Sequence, residues 1–214
     1  MRLWDLPTRL VHWAIAALVA TSWATAELGK MDLHRYSGYA VLTLLVFRLF
    51  WGFAGGSTAR FASFVKGPGA TLAYARTLFS RAPSQSPGHN PLGALSVLAL
   101  LATMIAQVSF GLFAVDTDGL ESGPLSQYVD FDTGRVFAGL HETTFNILLA
   151  LIGLHLAAVA WYLVYKRENL VRAMVSGRRP LQGEPLRAAP AWRALVGLAV
   201  AAAVAWFVAK GLKL

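Results

Sequence analysis

Five long apolar stretches constrain this 214-residue chain more than any other feature of its sequence. They run approximately over 8–26, 35–54, 92–115, 138–165 and 192–209. A helix rises about 1.5 Å per residue, so each stretch is long enough to cross about 30 Å of hydrocarbon. Charged residues make up 14% of the sequence, against about a quarter in typical soluble domains. The sequence therefore predicts an all-α integral membrane protein with five transmembrane helices.

The basic residues predict how the chain is oriented. A net charge of +8 would suit nucleic-acid binding, but the basic residues collect between the apolar stretches and not on one face of a domain. With a cytoplasmic N-terminus, the inner segments hold thirteen lysines and arginines, and the outer segments hold five together with eight acidic residues. Because basic loops stay in the cytoplasm, this asymmetry predicts that the N-terminus is inside and the C-terminus outside.

Two segments near the spans need separate interpretation. The first 26 residues also resemble a signal peptide, with a basic start, an apolar run and a small-residue end. We favour a span, because cleavage would discard His12 and two tryptophans. In the loop before the third span, PGATLAYARTLFSR (68–81) spaces its apolar residues as a helix does and predicts a helix along the cytoplasmic interface. This loop is rich in Gly, Pro and Ser from Arg81 onward.

Cysteine is absent from the sequence. Its absence excludes disulfides, iron–sulfur clusters, zinc–thiolate sites and covalently attached haem c. Any redox centre is therefore a non-covalently bound cofactor on His, Met or carboxylate ligands.

Four of the five histidines lie inside or at the ends of predicted spans, where a polar side chain is costly without a partner. His12 lies near the cytoplasmic end of the first span, and His34 opens the second span at the outer face. His141 opens the fourth span, also outside, and His155 lies toward its cytoplasmic end. Fourteen residues at about 100° each return His155 to the face of His141, about 21 Å along the axis.

Depth therefore pairs His34 with His141 near the outer surface and His12 with His155 near the inner surface. Such pairs suit two haems, each held by two histidines. Packing or proton-relay histidines and a metal-transport path are the alternatives. A transport path usually adds carboxylates inside the membrane, and the one carboxylate within the predicted spans, Glu142, lies at the membrane edge.

Two arginines and one further histidine accompany the inner pair. Arg48 follows His34 by fourteen residues and shares its face near the inner depth, and Arg9 precedes His12 by three. Either arginine suits snorkelling to headgroups or a bond to a haem propionate. His89, in GHNPLG, is predicted to be an interface or capping residue and not a ligand.

Other residues near the histidines have ordinary explanations. Glycines flank three of the histidines and suit either room for a ring or helix packing: Gly38, Gly139 and Gly153. Four polar residues assigned to the inner end have ordinary helix-packing roles and predict no quinone pocket: Thr8, Gln107, Ser109 and Asn146.

Several segments resemble the prokaryotic cytochrome b561 family, and more narrowly its nickel–iron-hydrogenase b-type cytochrome branch. They are WDLPTRLVHW, LHRYSGYAVLTLLVFRLFWGFAGGSTARFASFVKGP, GHNPLGALSVLALL, GLHETTFN, GLHLAAV and KRENLVRAMVSG, and they cover about residues 2–179. The resemblance implies a four-helix core with two haems b on His12, His34, His141 and His155. It also implies a bacterial inner-membrane protein that links the quinone pool to hydrogenases, formate dehydrogenases, periplasmic c-type cytochromes or, in one branch, superoxide.

The expected organisation is therefore a dihaem transmembrane domain over 1–179, followed by a linker and a C-terminal transmembrane helix over 180–214. The expected function is electron transfer between a periplasmic redox partner and quinone. The chain is expected to be an electron-transfer subunit of an oxidoreductase system in preference to a stand-alone enzyme. A superoxide-oxidising, quinone-reducing enzyme is the alternative. Lys30, Arg35 and Arg135 would supply its basic outer rim, but eight acids share that face and repel an anion. A third alternative is a non-redox transporter or a membrane anchor with vestigial haem sites. Such a protein would bind no haem and would be colourless when purified.

Overall fold

The computed structural model describes residues 2–81, 88–180 and 187–213. The regular secondary structure in these ranges is helical. In these ranges the only β pairing consists of two isolated antiparallel bridges. The helices are α1 Leu6–Glu27, α2 Met31–Ala54, α3 Phe61–Phe64, α4 Pro68–Ala75, α5 Pro91–Phe113, α6 Phe131–Val164, α7 Leu170–Ser176 and α8 Ala191–Ala209, with a 3₁₀ turn at Ser126–Tyr128.

Side-chain caps fix where several helices begin. Asp5 accepts a hydrogen bond from the Thr8 amide at 2.9 Å, and Asn90 accepts one from the Gly93 amide at 2.8 Å. The same contact starts α6 at Asp130 and α7 at Asn169. Each cap satisfies an amide that the first helical turn leaves free. Asp5 also accepts from Trp51 Nε1 at 3.0 Å, so the start of α1 is tied to the end of α2.

Four helices are long and apolar enough to cross a membrane, by length and composition: α2, α5, α6 and α8. Helix α1 has 22 residues but is not among them; Arg9, His12 and Glu27 lower its mean hydropathy most. A membrane-spanning helical bundle is thus supported, and the predicted count of five spans stays a prediction.

The helices pack as two hairpin-like pairs, α1 along α2 and α5 along α6, and α8 packs against α2. A central apolar cluster joins the pairs at mid-length and consists of Val41, Leu45, Met104 and Leu148. Helix α8 approaches α2 closely, since a Cβ at Gly197 would lie 2.5 Å from the Phe50 ring. This close approach accounts for the small-residue composition of the last helix.

At one end of the bundle the N-terminal segment is held against α7. We call this the inner end, and the opposite end the outer end, after the orientation predicted from the sequence. The amides of Leu3 and Trp4 donate to the Gly177 carbonyl at 2.7 and 3.2 Å. Gly177 ends α7 in the left-handed region, at φ 73°. A Cβ there would overlap the guanidinium of Arg9. Only glycine satisfies both the backbone angle and the contact.

The segments between the spans match the sequence interpretation in part. The helix predicted within 68–81 covers Pro68–Ala75, and a turn follows it. The short helices α3 and α7 were not anticipated. Parts of the Gly/Pro/Ser-rich loop and of the predicted linker, residues 82–87 and 181–186, lie outside the described residues, as do residues 1 and 214.

Candidate functional site

Helix α6 presents both of its histidines to the opposite helix pair. The ring centre of His141 lies 6.0 Å from that of His34 on α2, and the ring centre of His155 lies 6.3 Å from that of His12 on α1. Metal–imidazole bonds are about 2 Å long, and each ring adds about 1 Å from nitrogen to centre. Two imidazoles on one metal ion therefore have ring centres about 6 Å apart. Both pairs have this spacing.

Backbone carbonyls orient the outer pair. His34 Nδ1 donates to the Ser22 carbonyl at 2.9 Å, and His141 Nδ1 donates to the Gln107 carbonyl at 2.8 Å. Because a carbonyl only accepts, the proton is on Nδ1 in both rings and Nε2 has its lone pair free. Metal-binding histidines commonly have this second contact, which fixes the ring and its tautomer. The Gln107 side-chain amide lies 3.2 Å from His141 Nε2, so a metal at that nitrogen would replace this contact.

The inner pair lies among buried polar atoms that have no protein partner. Five buried side-chain atoms in the described residues lack a hydrogen bond, and four of them belong to the inner end: Thr8 Oγ1, Arg9 Nε, His12 Nδ1 and His89 Nδ1. Buried polar groups in native proteins are nearly always satisfied, so such a group of orphans indicates a missing polar ligand. A haem, with a metal for the imidazoles and carboxylates for the polar atoms, fits these residues.

A comparison with protein families bears on the same residues. The family model described as prokaryotic cytochrome b561 matches residues 3–177. The chain belongs to the prokaryotic cytochrome b561 family. It is therefore a multi-pass membrane b-type cytochrome that binds haem b and transfers electrons. No curated protein and no solved structure matched the chain.

The match confirms the family that the sequence segments resembled. It ends at residue 177, directly after α7, and leaves α8 outside. The division into a domain at 1–179 and a C-terminal part at 180–214 stays a prediction.

The cytochrome holds the Arg48 side chain inside the protein. Its side chain is only 7% exposed, and its guanidinium lies 5.1 Å above the Phe61 ring and donates to the Ala59 carbonyl at 3.4 Å. No ion pair among the described residues includes it. Arg9 is half-buried, and its guanidinium lies against Gly177.

His89 is an inner-end residue of the cytochrome and not a helix cap. Its ring lies between those of Trp4 and Phe64, at 4.7 Å from each, and Asn90 caps α5 instead. Burial lowers the pKa of His89 to about 3, with smaller contributions from Arg48, His155 and His12. The imidazole is therefore neutral near pH 7, and these four groups share one electrostatic neighbourhood.

Sequence interpretation misplaced Gln107, which was grouped with the inner end. The structure places it against His141 at the outer pair of the cytochrome. The position of Gln107 along α5 could have shown this from the sequence. Gln107 lies sixteen residues after Pro91, which places it about 24 Å from the inner start of that helix. Gly111, one turn further, was also missed: a Cβ there would lie 2.8 Å from His141 Cε1.

The flanking glycines divide into two kinds. Gly38 lies one turn after His34, and nothing lies within 4 Å of a Cβ built on it, so it leaves space beside the ring. Gly139 and Gly153 lie two residues before their histidines, about 200° around α6, and both are exposed. They face away from the rings, so the space-making role applies to Gly38 alone.

Proposed function

We propose that this protein is a dihaem cytochrome of the bacterial inner membrane that carries electrons between the quinone pool and a redox partner outside the membrane. One haem b is held by His12 and His155, and the other by His34 and His141. The observation that carries the proposal is the pair of ring-centre distances, 6.3 and 6.0 Å, on opposite parts of one helix. The partner is a c-type cytochrome or a hydrogenase-like enzyme on the periplasmic side.

The protein's contribution is ligation, spacing and electrostatics. When bound, the haem iron supplies the one-electron redox chemistry. Two histidines on each iron leave no open coordination position for oxygen. The fourteen-residue spacing on α6 sets the two sites about 21 Å apart along the axis, and the carbonyls of Ser22 and Gln107 keep the outer rings in a ligating tautomer.

The inner-end arginines are proposed to bind haem propionates. Arg48 is buried with one long hydrogen bond, to the Ala59 carbonyl. The Asp5 carboxylate acts on its charge from a distance but forms no ion pair with it. A buried cation of this kind is costly unless it is paired. A propionate carboxylate would supply the missing partner through a charge-assisted bond. Arg9, whose buried Nε lacks a partner, is proposed to have the same role.

The superoxide-oxidising alternative is less well supported by the outer rim. Arg35 forms ion pairs with Asp32 and Glu121, so its charge is neutralised by the acids on that face. Arg135 donates to the Val115 carbonyl. A rim with these contacts attracts an anion weakly. Electron transfer to a protein partner therefore remains our proposal.

Haem stoichiometry and quinol oxidation together test the proposed function. We expect a pyridine haemochrome assay to find two haems b per chain and no covalent haem. A short-chain quinol should reduce this haem in the reconstituted protein, and a His12→Ala/His34→Ala double variant is the control. One haem per chain, colourless protein, or reduction only by superoxide with quinone as the acceptor would contradict the proposal.

We also expect Gly111→Ala to disturb the outer haem selectively. The new methyl group would lie 2.8 Å from His141 Cε1, a separation that real Cβ atoms do not show, so the ring must leave its present position opposite His34. The reduced-minus-oxidised spectrum should lose or shift its outer-haem component and keep the inner one. Gly69→Ala, in α4 with nothing within 4 Å of the new Cβ, is the control. An unchanged outer component would show that the His141 ring position does not depend on Gly111.

A further inference from the structure

A large cavity opens at the C-terminal end of α6, away from both histidine pairs. It has a volume of about 1440 Å³ and lies between the end of α6, α7 and the chain near Arg81. Pockets for small organic ligands usually have about 300–1,000 Å³. The cavity is therefore larger than a single small metabolite requires.

Positive charge dominates the cavity lining. One acid, Glu168, lines it together with six basic residues: Arg81, Lys166, Arg167, Arg172, Arg178 and Arg179. Arg179 is paired with Glu168. In the described ranges, the other five cations form no ion pair. Among the lining residues that the structure describes, basic side chains exceed acidic ones by five, which favours an anionic ligand with more than one charge.

One wall of the cavity is fixed at the depth of a membrane surface. Trp161 and Tyr165, at the end of the membrane-spanning α6, stack at 4.4 Å, and such aromatic pairs mark the interface of bilayers. Trp161 and Tyr165 donate to the carbonyls of Leu78 and Phe79, and Lys166 donates to that of Thr77. These three bonds hold the wall against the chain that follows α4. The site is therefore built in advance of any ligand.

The same cavity has an apolar side. Val164 lines it and is 66% exposed, and it belongs to a helix apolar enough to cross the bilayer. A ligand in this place meets hydrocarbon on one side and arginines on the other. That combination matches an amphiphile better than a free ion.

The backbone at the cavity is also unusual. Arg167 has φ 58°, a left-handed conformation that glycine or asparagine adopts more easily. Arg167 nevertheless occupies this position and lines the cavity, although its backbone conformation is unfavourable for a residue with a side chain. Such departures cluster at ligand sites.

We propose that this cavity binds the head group of an anionic phospholipid with two phosphates, diphosphatidylglycerol. The arginines bind the phosphate oxygens in paired hydrogen bonds, which the planar guanidinium favours. The acyl chains extend along the exposed apolar side of α6 near Val164. Two phosphates account for both the size of the cavity and the excess of positive charge.

The test uses the full-length, haem-loaded protein in nanodiscs of phosphatidylcholine with a small, varied fraction of diphosphatidylglycerol. Bound lipid is counted by native mass spectrometry after release from the disc. We expect wild-type protein to retain one diphosphatidylglycerol. Arg172→Gln/Arg178→Gln should bind it about thirtyfold more weakly, since each cation near the membrane surface contributes roughly a fivefold factor. Arg60→Gln/Lys66→Gln is the matched control, because it removes two exposed cations outside the cavity.

Three results would overturn the proposal. The first is equal lipid retention by the cavity variant and the wild type. The second is an equal loss in the control variant, which would show unspecific attraction to the basic surface. The third is displacement of the lipid by millimolar inorganic phosphate, which would assign the cavity to a free anion. An unchanged haem spectrum in both double variants shows that they are folded, so a binding loss is independent of the electron-transfer proposal.

Discussion

Replacing His34 with alanine is expected to remove the outer haem and leave the inner haem, and replacing His12 is expected to do the opposite. Each variant should keep about half of the bound haem, because a ring lost from one pair leaves the other pair about 21 Å away unchanged. His155→Ala should resemble His12→Ala, since their ring centres are 6.3 Å apart. Haem content and low-temperature difference spectra measure both effects.

The control for these variants is another histidine at the inner end. His89→Phe keeps a ring between Trp4 and Phe64 and should retain both haems. If His155→Ala and His34→Ala remove the same spectral component, the proposed pairing is wrong. If His89→Phe removes the inner haem, the imidazole of His89 helps to hold that haem, either on the iron or through its unpartnered Nδ1.

Replacing Arg48 with glutamine is expected to make the inner haem harder to reduce. Reduction adds an electron, so a nearby cation favours the reduced state, and its removal lowers the midpoint potential. Two unit charges about 8 Å apart interact by about 2 kcal/mol at an effective dielectric constant near 20, which corresponds to roughly 90 mV for one electron. A redox titration that resolves both haems measures this shift.

Arg48→Lys keeps the charge and should keep most of the potential, which separates charge from hydrogen-bond geometry. The outer haem should change little in either variant. An inner-haem potential that is the same in wild type and Arg48→Gln would contradict the propionate assignment. The buried position of Arg48, 7% exposed, would then serve packing against Phe61.

The sequence predicted the features that depend on periodicity along one helix. The fourteen-residue spacing placed His141 and His155 on one face, and depth then grouped them with His34 and His12, as the ring contacts of the structure do. Contacts between segments far apart in the chain were not accessible in this way. His89 packs with Trp4 across more than eighty residues, and α8 docks on α2 through Gly197. Neither contact has a local pattern.

Hydropathy also gave an incomplete account of α1. It is not among the helices that qualify as spans by length and composition. Yet Ser22 supplies the carbonyl that holds His34, and Thr25 bonds to the carbonyls of Thr21 and Ser22. Helix α1 therefore helps to hold the outer pair although its composition does not mark it as a span.

The central apolar cluster has an electrical consequence for the proposed function. Val41, Leu45, Met104 and Leu148 lie between the two histidine pairs, and none of these side chains donates or accepts a hydrogen bond. They offer no relay by which a proton could accompany an electron from one site to the other. Each electron transferred would then move uncompensated charge through the bilayer, and the membrane potential would act on it with up to about 2.3 kcal/mol per 100 mV. The rate and direction of transfer would accordingly depend on the voltage of the membrane.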